Sequence, residues 1–391
     1  MKKILLISFE YPTGKVYCGG VGQIVERSRS ALLELGYEVY VLISSEFTRK
    51  YPVKLLLPDG ILENYRSLGA FLKNHDWNKF MAVIHHFVNW TEELKRIKSR
   101  KGRRPRIIYH FHSILRREKD SGFRTLNHFL LRQEKMISLA DSIVCPSSYE
   151  YDNFCRYFPL FIGKVTVIEN TIENYPCDKR RVDEIKKRLD IRSGDVVSLY
   201  VGRLEKIKGP HVLFNEAPRL LNKYQHVKII FIGKSLDKDL YAKLLRLCRK
   251  FPRQFFYIRY VEKNELFQFY YLSDIYINSS LSESFSLSTH ESALCNNALL
   301  LNRLPVFEKF KKAAVFFNAD KRNFNDKYEG LIKDASLRSR LSRKAKIIAD
   351  KFLDCNRLKE DLHKFLQSGL NRAVALDEET RMQYHKDRNT N

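Results

Sequence analysis

Paired cysteines are what this chain of 391 residues most plainly lacks. Its seven cysteines (Cys18, Cys145, Cys155, Cys177, Cys248, Cys295, Cys355) are odd in number, scattered, and never spaced C-x-x-C. That argues against a disulfide framework or a cysteine-held zinc and implies reduced thiols in a cytoplasmic protein. Long apolar runs are missing too. None approaches the ~20 residues of a membrane span, so any membrane contact would be peripheral. The opening Met1-Lys-Lys-Ile-Leu-Leu-Ile-Ser-Phe9 starts like a signal peptide, yet its apolar run ends at Glu10 with no small-residue cleavage site after it. A first buried strand is the expectation. No repeat of short period occurs.

Acidic charge is scarce beside basic: 45 Asp and Glu against 70 Lys and Arg, a formal net of +25. Such an excess favours anionic partners, whether phosphate groups, nucleic acid or anionic lipid. The densest basic run is Leu94-Lys-Arg-Ile-Lys-Ser-Arg-Lys-Gly-Arg-Arg-Pro-Arg106, with no acid inside it and Arg116, Arg117, Arg124, Arg132 and Lys135 soon after. A basic surface on the first domain is expected there. No Trp or Tyr is interleaved within the run to make a single-strand stacking platform.

What is present is a strand–helix rhythm. Residues 3–8 form an apolar run, followed by Tyr11-Pro-Thr-Gly-Lys-Val-Tyr-Cys-Gly-Gly-Val-Gly22. A helix should follow, with Val21, Ile24, Val25, Ala31, Leu32 and Leu35 on one side and Gly36 stopping it. Tyr37–Ile43 is the next strand. A strand, glycine loop, helix and strand in that order usually bind phosphate. The dinucleotide fingerprint itself is absent, because it would follow the strand directly, and here about ten residues intervene.

Further strands are read at 81–84, 107–109, 142–146, 165–168, 196–201, 227–232, 255–261, 275–278, 298–301 and 315–317. The alternation argues for parallel sheets covered on both faces. His110 and His112 fall on one face at the end of the strand at 107–109, where parallel sheets place ligands. Gly202-Arg203-Leu-Glu-Lys-Ile-Lys208-Gly209-Pro210 opens from another strand end, with Pro210 suited to a first helical turn. Finally, Glu283-Ser-Phe-Ser-Leu-Ser-Thr-His-Glu291 puts one carboxylate at the mouth of a helix and a second about two turns inside it. Free N–H groups at a helix start attract anions, so phosphate and sugar hydroxyls could be held together there.

In order, these pieces resemble the family-4 retaining glycosyltransferases of the GT-B fold. The matching stretches are Gly19-Gly20-Val-Gly22, Tyr109-His-Phe-His112-Ser, Ala140-Asp141-Ser-Ile-Val-Cys-Pro-Ser147, Val167-Ile-Glu-Asn170, Val201-Gly-Arg203-Leu-Glu-Lys-Ile-Lys208-Gly209, and Glu283 with Glu291. The spaced Arg203 and Lys208 followed by two glutamates are the specific part. The resemblance implies an α/β chain of two Rossmann-like, doubly wound parallel-sheet domains facing a central cleft. The expected division is an acceptor-binding domain at 1–175, a linker at 176–194 and a nucleotide-sugar-binding domain at 195–352. A helix at 353–370 would pack back toward the first domain, and 371–391 would be a polar tail.

By the same resemblance, Arg203 and Lys208 would hold the diphosphate and stabilise the charge that grows on it as the glycosidic bond breaks. Glu291 would accept the ribose hydroxyls and Glu283 those of the donor sugar. Backbone N–H groups near Ser284, Phe285, Ser286 and Leu287, and at Gly20, Val21 and Gly22, would meet phosphate or sugar. His112 would contact the donor sugar, and Tyr260 and Val261 would form the base-binding turn. Retention is implied without a covalent enzyme intermediate, the leaving phosphate taking the acceptor's proton. The donor would be UDP-, GDP- or ADP-linked, with no other cofactor and no essential metal, phosphate charge being met by Arg and Lys. A glycan, glycolipid or lipid-linked acceptor is implied, with peripheral contact to an anionic cytoplasmic membrane face.

The chain departs from the family pattern in places. Ser286 stands where the family usually has Gly, Asn296-Asn297-Ala298 where it often has Gly-Thr-Pro, Arg259 where it has Gly, and Glu169-Asn170-Thr171 where it has Pro-Asn-Gly. The usual glycine-rich donor loop beyond residue 301 is missing or shortened. Asn tolerates left-handed backbone, so Asn296 can do a glycine's work; the same is not assumed of Ser286. Two alternatives remain: a nucleic-acid binder or DNA-modifying transferase, suggested by the charge but lacking a DNA-reading motif, and a fold-mate that binds a nucleotide sugar without turnover.

Overall fold

The computed structural model describes residues 2–12, 19–43, 53–66, 68–99, 102–123, 126–321 and 323–368. They form two compact units. One holds the residues up to Thr171 together with the helix Cys355–Ser368; the other is Ile172–Asp354.

The first unit contains eight strands: β1 (Lys3–Ser8), β2 (Glu38–Ile43), β3 (Val53–Leu56), β4 (Leu62–Tyr65), β5 (Phe80–His85), β6 (Arg106–His110), β7 (Ser142–Cys145) and β8 (Val165–Val167). Their order is β4-β3-β2-β1-β5-β6-β7-β8. All neighbours are parallel except the pairs β2–β3 and β3–β4. The signal-like start is thus a strand with neighbours on both sides, with Ile4, Leu5, Leu6 and Ile7 fully buried. The antiparallel hairpin went unread in the sequence, because its four-residue strands carry no continuous apolar run. Helix Gly20–Glu34 covers one face, and Gly36 ends it at φ +80°.

The helix Cys355–Ser368 packs into this same core. Leu358, Leu362, Phe365 and Leu366 lie with Val25, Leu32 and Ile4. Arg106 stacks over the Phe365 ring at 4.6 Å and donates to the Phe365 carbonyl at 3.0 Å. Lys359 pairs with Glu34, and Arg357 with Glu169.

The second unit is an all-parallel sheet of six strands: β9 (Val196–Val201), β10 (Val227–Ile232), β11 (Phe255–Ile258), β12 (Ile275–Asn278), β13 (Ala298–Asn302) and β14 (Ala314–Phe317). Their order is β11-β10-β9-β12-β13-β14. Every residue of β10 is buried, as a sheet covered on both faces requires. Strand order reverses between β9 and β12. There the pairing covers only Ile275↔Ser198 and Tyr276↔Leu199, whereas β9 and β10 pair over six residues. The two strands thus part early at the point of reversal, which is where doubly wound sheets form a ligand crevice.

Two expectations need correction. The strand read over 255–261 ends at Ile258, and Arg259–Glu262 turn into the helix Lys263–Leu272. Residues 176–194, read as a linker, contain the helix Lys179–Arg188, with Val182 and Ile185 buried and Asp178 capping the Arg181 amide at 3.2 Å. Two apolar residues three apart make a stripe too narrow to stand out among so many charges. The polar tail from 371 onward lies outside the described residues.

Candidate active site

The crevice of the second unit is shaped first by glycines. Gly233, after β10, lies so close to the chain leaving β9 that a Cβ there would come within 1.8 Å of the Gly202 carbonyl oxygen. Gly209 has φ +63°, and a Cβ on it would meet the Ser279 carbonyl oxygen at 1.9 Å. These approaches fix the loop 202–209 against the loop leaving β12. Hydrogen bonds then tie the two together: Ser279 Oγ donates to the Gly209 carbonyl at 2.8 Å, and the Leu281 amide to the Ile207 carbonyl at 2.8 Å.

On this frame sit the charged groups. Lys208 Nζ lies 2.9 Å from Glu283 Oε1, and Ser280 Oγ donates to the same oxygen at 2.7 Å. Both charged side chains are largely buried. Lys208 and Glu283, 75 residues apart in sequence, are therefore direct partners. Arg203 is more open, 44% exposed, and its Nη2 pairs with Glu205 Oε1 at 2.7 Å. The Glu205 carbonyl accepts the Lys208 amide at 3.1 Å, so Arg203 and Lys208 flank one turn. The structure does not pair Arg203 with either glutamate of the second motif.

Glu291 lies deeper. The helix runs Leu287–Leu294, so Glu291 is just over one turn inside it rather than two. It is 1% exposed. Lys263 Nζ approaches Oε1 at 2.5 Å, and the Tyr270 hydroxyl donates to Oε2 at 3.4 Å. Lys263 follows the turn holding Tyr260 and Val261 by two residues, so that turn and Glu291 are connected. Sequence reasoning missed Lys263; its signal, a lone lysine opening a helix, was no stronger than many others here. Burial, and the Glu291 charge beside it, push the Tyr270 phenol up.

Ahead of that helix, Ser286 adopts φ +67° and Asn296, just after it, φ +61°. Of the four positions where the family has glycine, Ser286 and Asn296 are therefore left-handed, whereas Arg259 and Thr171 are not. Ser286 is stabilised there by side-chain bonds, its Oγ meeting Asn278 Nδ2 at 3.1 Å and Thr289 Oγ1 at 2.8 Å. No side chain caps this helix start. The Phe285 side chain does not face a ligand: it stacks flat on His290 at 4.2 Å in the core beside Phe352. The expected donor set at Ser284, Phe285, Ser286 and Leu287 therefore rests on backbone rather than on the Phe285 or Ser286 side chains.

In the first unit, strand order reverses between β1 and β5. His86 follows β5, and His110 and His112 come from the end of β6. Their rings cluster with centroids 4.8 to 5.3 Å apart, and His86 Nδ1 lies 3.1 Å from His112 Nε2. The outer nitrogens, His86 Nε2, His110 Nε2 and His112 Nδ1, have no hydrogen-bond partner. Burial lowers all three, His110 to about 4, and His86 and His112 well below their usual range. At neutral pH the cluster is therefore uncharged. The glycine loop needs a correction. The Glu10 carboxylate accepts from the Gly19 and Gly22 amides at 3.1 Å each, so the Gly22 N–H expected for phosphate is already engaged; nothing comparable is shown for Gly20 or Val21.

The basic run is also less open than its sequence suggested. Arg104 bonds Asp141 through both Nη atoms at 2.7 and 3.1 Å, and Lys98 lies 3.6 Å from the same carboxylate. Burial alone would raise Asp141, but Arg104, the Ile107 amide and Lys98 outweigh it and hold its carboxyl below the usual range. Lys135 pairs with Glu92 and Arg117 with Glu150. Lys98, Arg104 and Arg106 of the run thus fasten β6 to its neighbours, Lys95, Arg96 and Arg103 are exposed, and Arg100 and Lys101 lie outside the described residues. No cluster of His, Cys, Asp or Glu suited to a metal occurs among the described residues. The Asp-x-Asp spacing at Asp237-Lys238-Asp239, which sequence reading passed over, caps a helix: Asp237 accepts the Asp239 and Leu240 amides at 3.0 Å. Among those residues, no helix is long and apolar enough to cross a membrane.

Comparison with known proteins bears on the family and the fold. The model of the family described as Glycosyltransferase Family 4 matches residues 18–174, and that of Glycosyl transferases group 1 matches residues 181–347. The chain is 24% identical over 342 residues to a glycogen synthase of Mycobacterium tuberculosis, covering 77% of this chain and 78% of that protein. It is 23% identical over 329 residues to the alpha-monoglucosyldiacylglycerol synthase of Acholeplasma laidlawii, covering 76% and 81%. In structure it resembles the Anabaena HepE protein solved with UDP and glucose, with a TM-score of 0.70 at 15% identity, covering 94% of this chain and all of that one.

Proposed function

From a chain that belongs to the group 1 glycosyltransferases and has the GT-B fold, we propose a retaining hexosyltransferase that takes its sugar from a nucleoside diphosphate donor. The observation that carries this reading is the Lys208–Glu283 pair at 2.9 Å, fixed in the crevice of the second sheet. A cation and a carboxylate set side by side suit a donor's phosphate and its sugar hydroxyls. Arg203, on the same turn, brings a second cation that Glu205 holds in place.

In the reaction, the bond from the anomeric carbon to the diphosphate oxygen breaks, and its electron pair goes to the phosphate. Lys208 and Arg203 stabilise that developing charge, more strongly in the transition state than before it. The acceptor oxygen bonds to the anomeric carbon on the same face, and its proton passes to the leaving phosphate. Glu283 holds the sugar hydroxyls and Glu291 the ribose. Backbone amides from Ser284 to Leu287 receive phosphate at an uncapped helix start. Tyr260 and Val261 line the base. To the first unit the reading gives the acceptor, and to neutral His112 a hydrogen bond to the transferred sugar.

UDP-glucose is the first donor to try, since the structural relative HepE was solved with UDP and glucose. Acceptors to try are an α-glucan and a diacylglycerol in anionic vesicles, after the names of the two sequence relatives. Incubation with UDP-, GDP- and ADP-hexoses, read by mass spectrometry, should show slow hydrolysis of one donor and faster transfer with one acceptor. NMR of the product should show the donor's anomeric configuration, and a chelator should leave the rate unchanged. Tight nucleotide binding with no hydrolysis or transfer would overturn the enzyme reading in favour of a non-catalytic binder.

A further inference from the structure

Glu291 cannot be read as a lone ribose carboxylate. It is 1% exposed, and a buried ionised carboxylate requires a charged or hydrogen-bonding partner. Lys263 supplies one at 2.5 Å on Oε1, and Tyr270 approaches Oε2. The lysine is the first residue of the helix Lys263–Leu272, immediately beyond the turn Arg259–Glu262. Its ammonium carries three N–H donors, and its side chain is 18% exposed against 2% for Glu291. The lysine side chain is therefore the more open member of the pair. Glu291 keeps acceptor capacity as well, because a carboxylate has about four lone-pair positions. A donor and an acceptor stand side by side, the complement of two adjacent hydroxyls.

We propose that Lys263 is a ribose-reading residue: with Glu291 it forms one donor–acceptor pair that recognises the vicinal 2′- and 3′-hydroxyls of the nucleotide. This rests on the donor site described under the proposed function. Lys263 donates to one hydroxyl oxygen while Glu291 accepts from the neighbouring hydroxyl. The pair is also electrically neutral as a unit, so a buried carboxylate can stand beside a diphosphate without repelling it. A nucleotide lacking the 2′-hydroxyl leaves part of the pair unsatisfied, and polar groups left unpaired in a site reject the analogue that fails to satisfy them.

The test is calorimetric titration of the full chain with UDP, GDP and ADP and their 2′-deoxy counterparts. For whichever base binds, the wild-type chain should prefer the ribonucleotide by about tenfold or more. Lys263→Met should shrink that preference to about twofold, with most of the loss falling on the ribonucleotide. Because Lys263→Met takes from Glu291 its charged partner, the same comparison is made between Glu291→Gln and Glu291→Gln/Lys263→Met, where position 291 no longer carries a carboxylate. The double variant should discriminate less than the single. Equal weakening of ribo- and deoxyribonucleotides, or an unchanged ratio, makes Lys263 a structural partner of Glu291 only and overturns the inference while leaving the donor site standing. Failure of every diphosphate to bind the wild-type chain removes the donor site itself, and this inference with it.

Discussion

The two doubly wound sheets reverse strand order at corresponding places but furnish them in opposite ways. Where β9 and β12 part, the side chains are charged and each is matched, Lys208 by Glu283, Arg203 by Glu205 and Lys263 by Glu291. Where β1 and β5 part, the side chains are imidazoles without charge, with outer nitrogens unpartnered. The glycines differ as well. Gly209 and Gly233 face backbone oxygens closer than any Cβ allows, whereas a Cβ on Gly19 would meet only the far end of the Glu10 side chain. On the proposed reading, the second region would hold fixed charge against the donor's diphosphate, and the first would offer hydrogen bonding without charge to an uncharged hydroxyl.

Breaking the backbone contacts tests this contrast most severely. Gly233→Ala should destabilise the second unit by about 4 kcal/mol or more, in the range where single changes become exceptional. Gly19→Ala should lose under about 1 kcal/mol, because Glu10 can move aside. Denaturant titration of both variants measures the difference, and equal losses would remove the distinction between the two glycine sites.

Acid should act next, and on the first unit. His85, His86 and His110 are buried, and burial lowers His85 to about 3 and His110 to about 4 from the usual 6.5. The folded values lie below the unfolded one, so the neutral form is favoured by folding. Their stabilisation is complete above pH 6.5 and is lost as pH falls from 6.5 toward 4. Each such histidine removes about 1.4 kcal/mol per pH unit within that window. The second unit has His290, lowered to about 3 chiefly by burial, and His211, lowered by burial and nearby lysines. Hydrogen exchange at pH 7 and pH 5 should therefore show earlier opening around β5 and β6 than around β9 and β12.

Turnover should divide the units again. Lys208→Ala should lower donor hydrolysis by about 10²–10³-fold, the usual loss of one stabilising donor. Lys98→Ala, in the basic run of the first unit, should change it by less than about twofold, since partly exposed ion pairs contribute little. The smallest effect concerns Ser286. A non-glycine residue in left-handed backbone costs about 1–2 kcal/mol, so Ser286→Gly should be close to neutral, relief of strain offsetting two lost hydrogen bonds. Ser286→Ala keeps the strain and loses the bonds, and should be about 1 kcal/mol less stable than Ser286→Gly.

Much of this was legible in the residues. Continuous apolar runs such as Val196–Val201 and Val227–Ile232 announced buried parallel strands, and of the residues the family resemblance singled out, Lys208 and Glu283 stand paired. Other features are invisible at that level because they depend on pairing across long separations. Nothing local says that Glu10 reaches the Gly19 and Gly22 amides, that Asp141 gathers Arg104 and Lys98, or that Lys263 meets Glu291. The helix within 176–194 was hidden by its own charge. Asn296 was anticipated in left-handed backbone from its chemistry; Ser286 was not, since its support comes from Asn278 and Thr289.

One main-chain contact has a practical consequence. The Ile172 amide donates to the Phe352 carbonyl at 2.9 Å, so the second unit begins and nearly ends at a single point. It is in effect a cassette inserted into a host whose last helix comes after it. Residues 172–354 should accordingly tolerate excision, joining of their ends by a short peptide, or exchange for the equivalent segment of a relative, with nucleotide preference travelling with the transplanted piece.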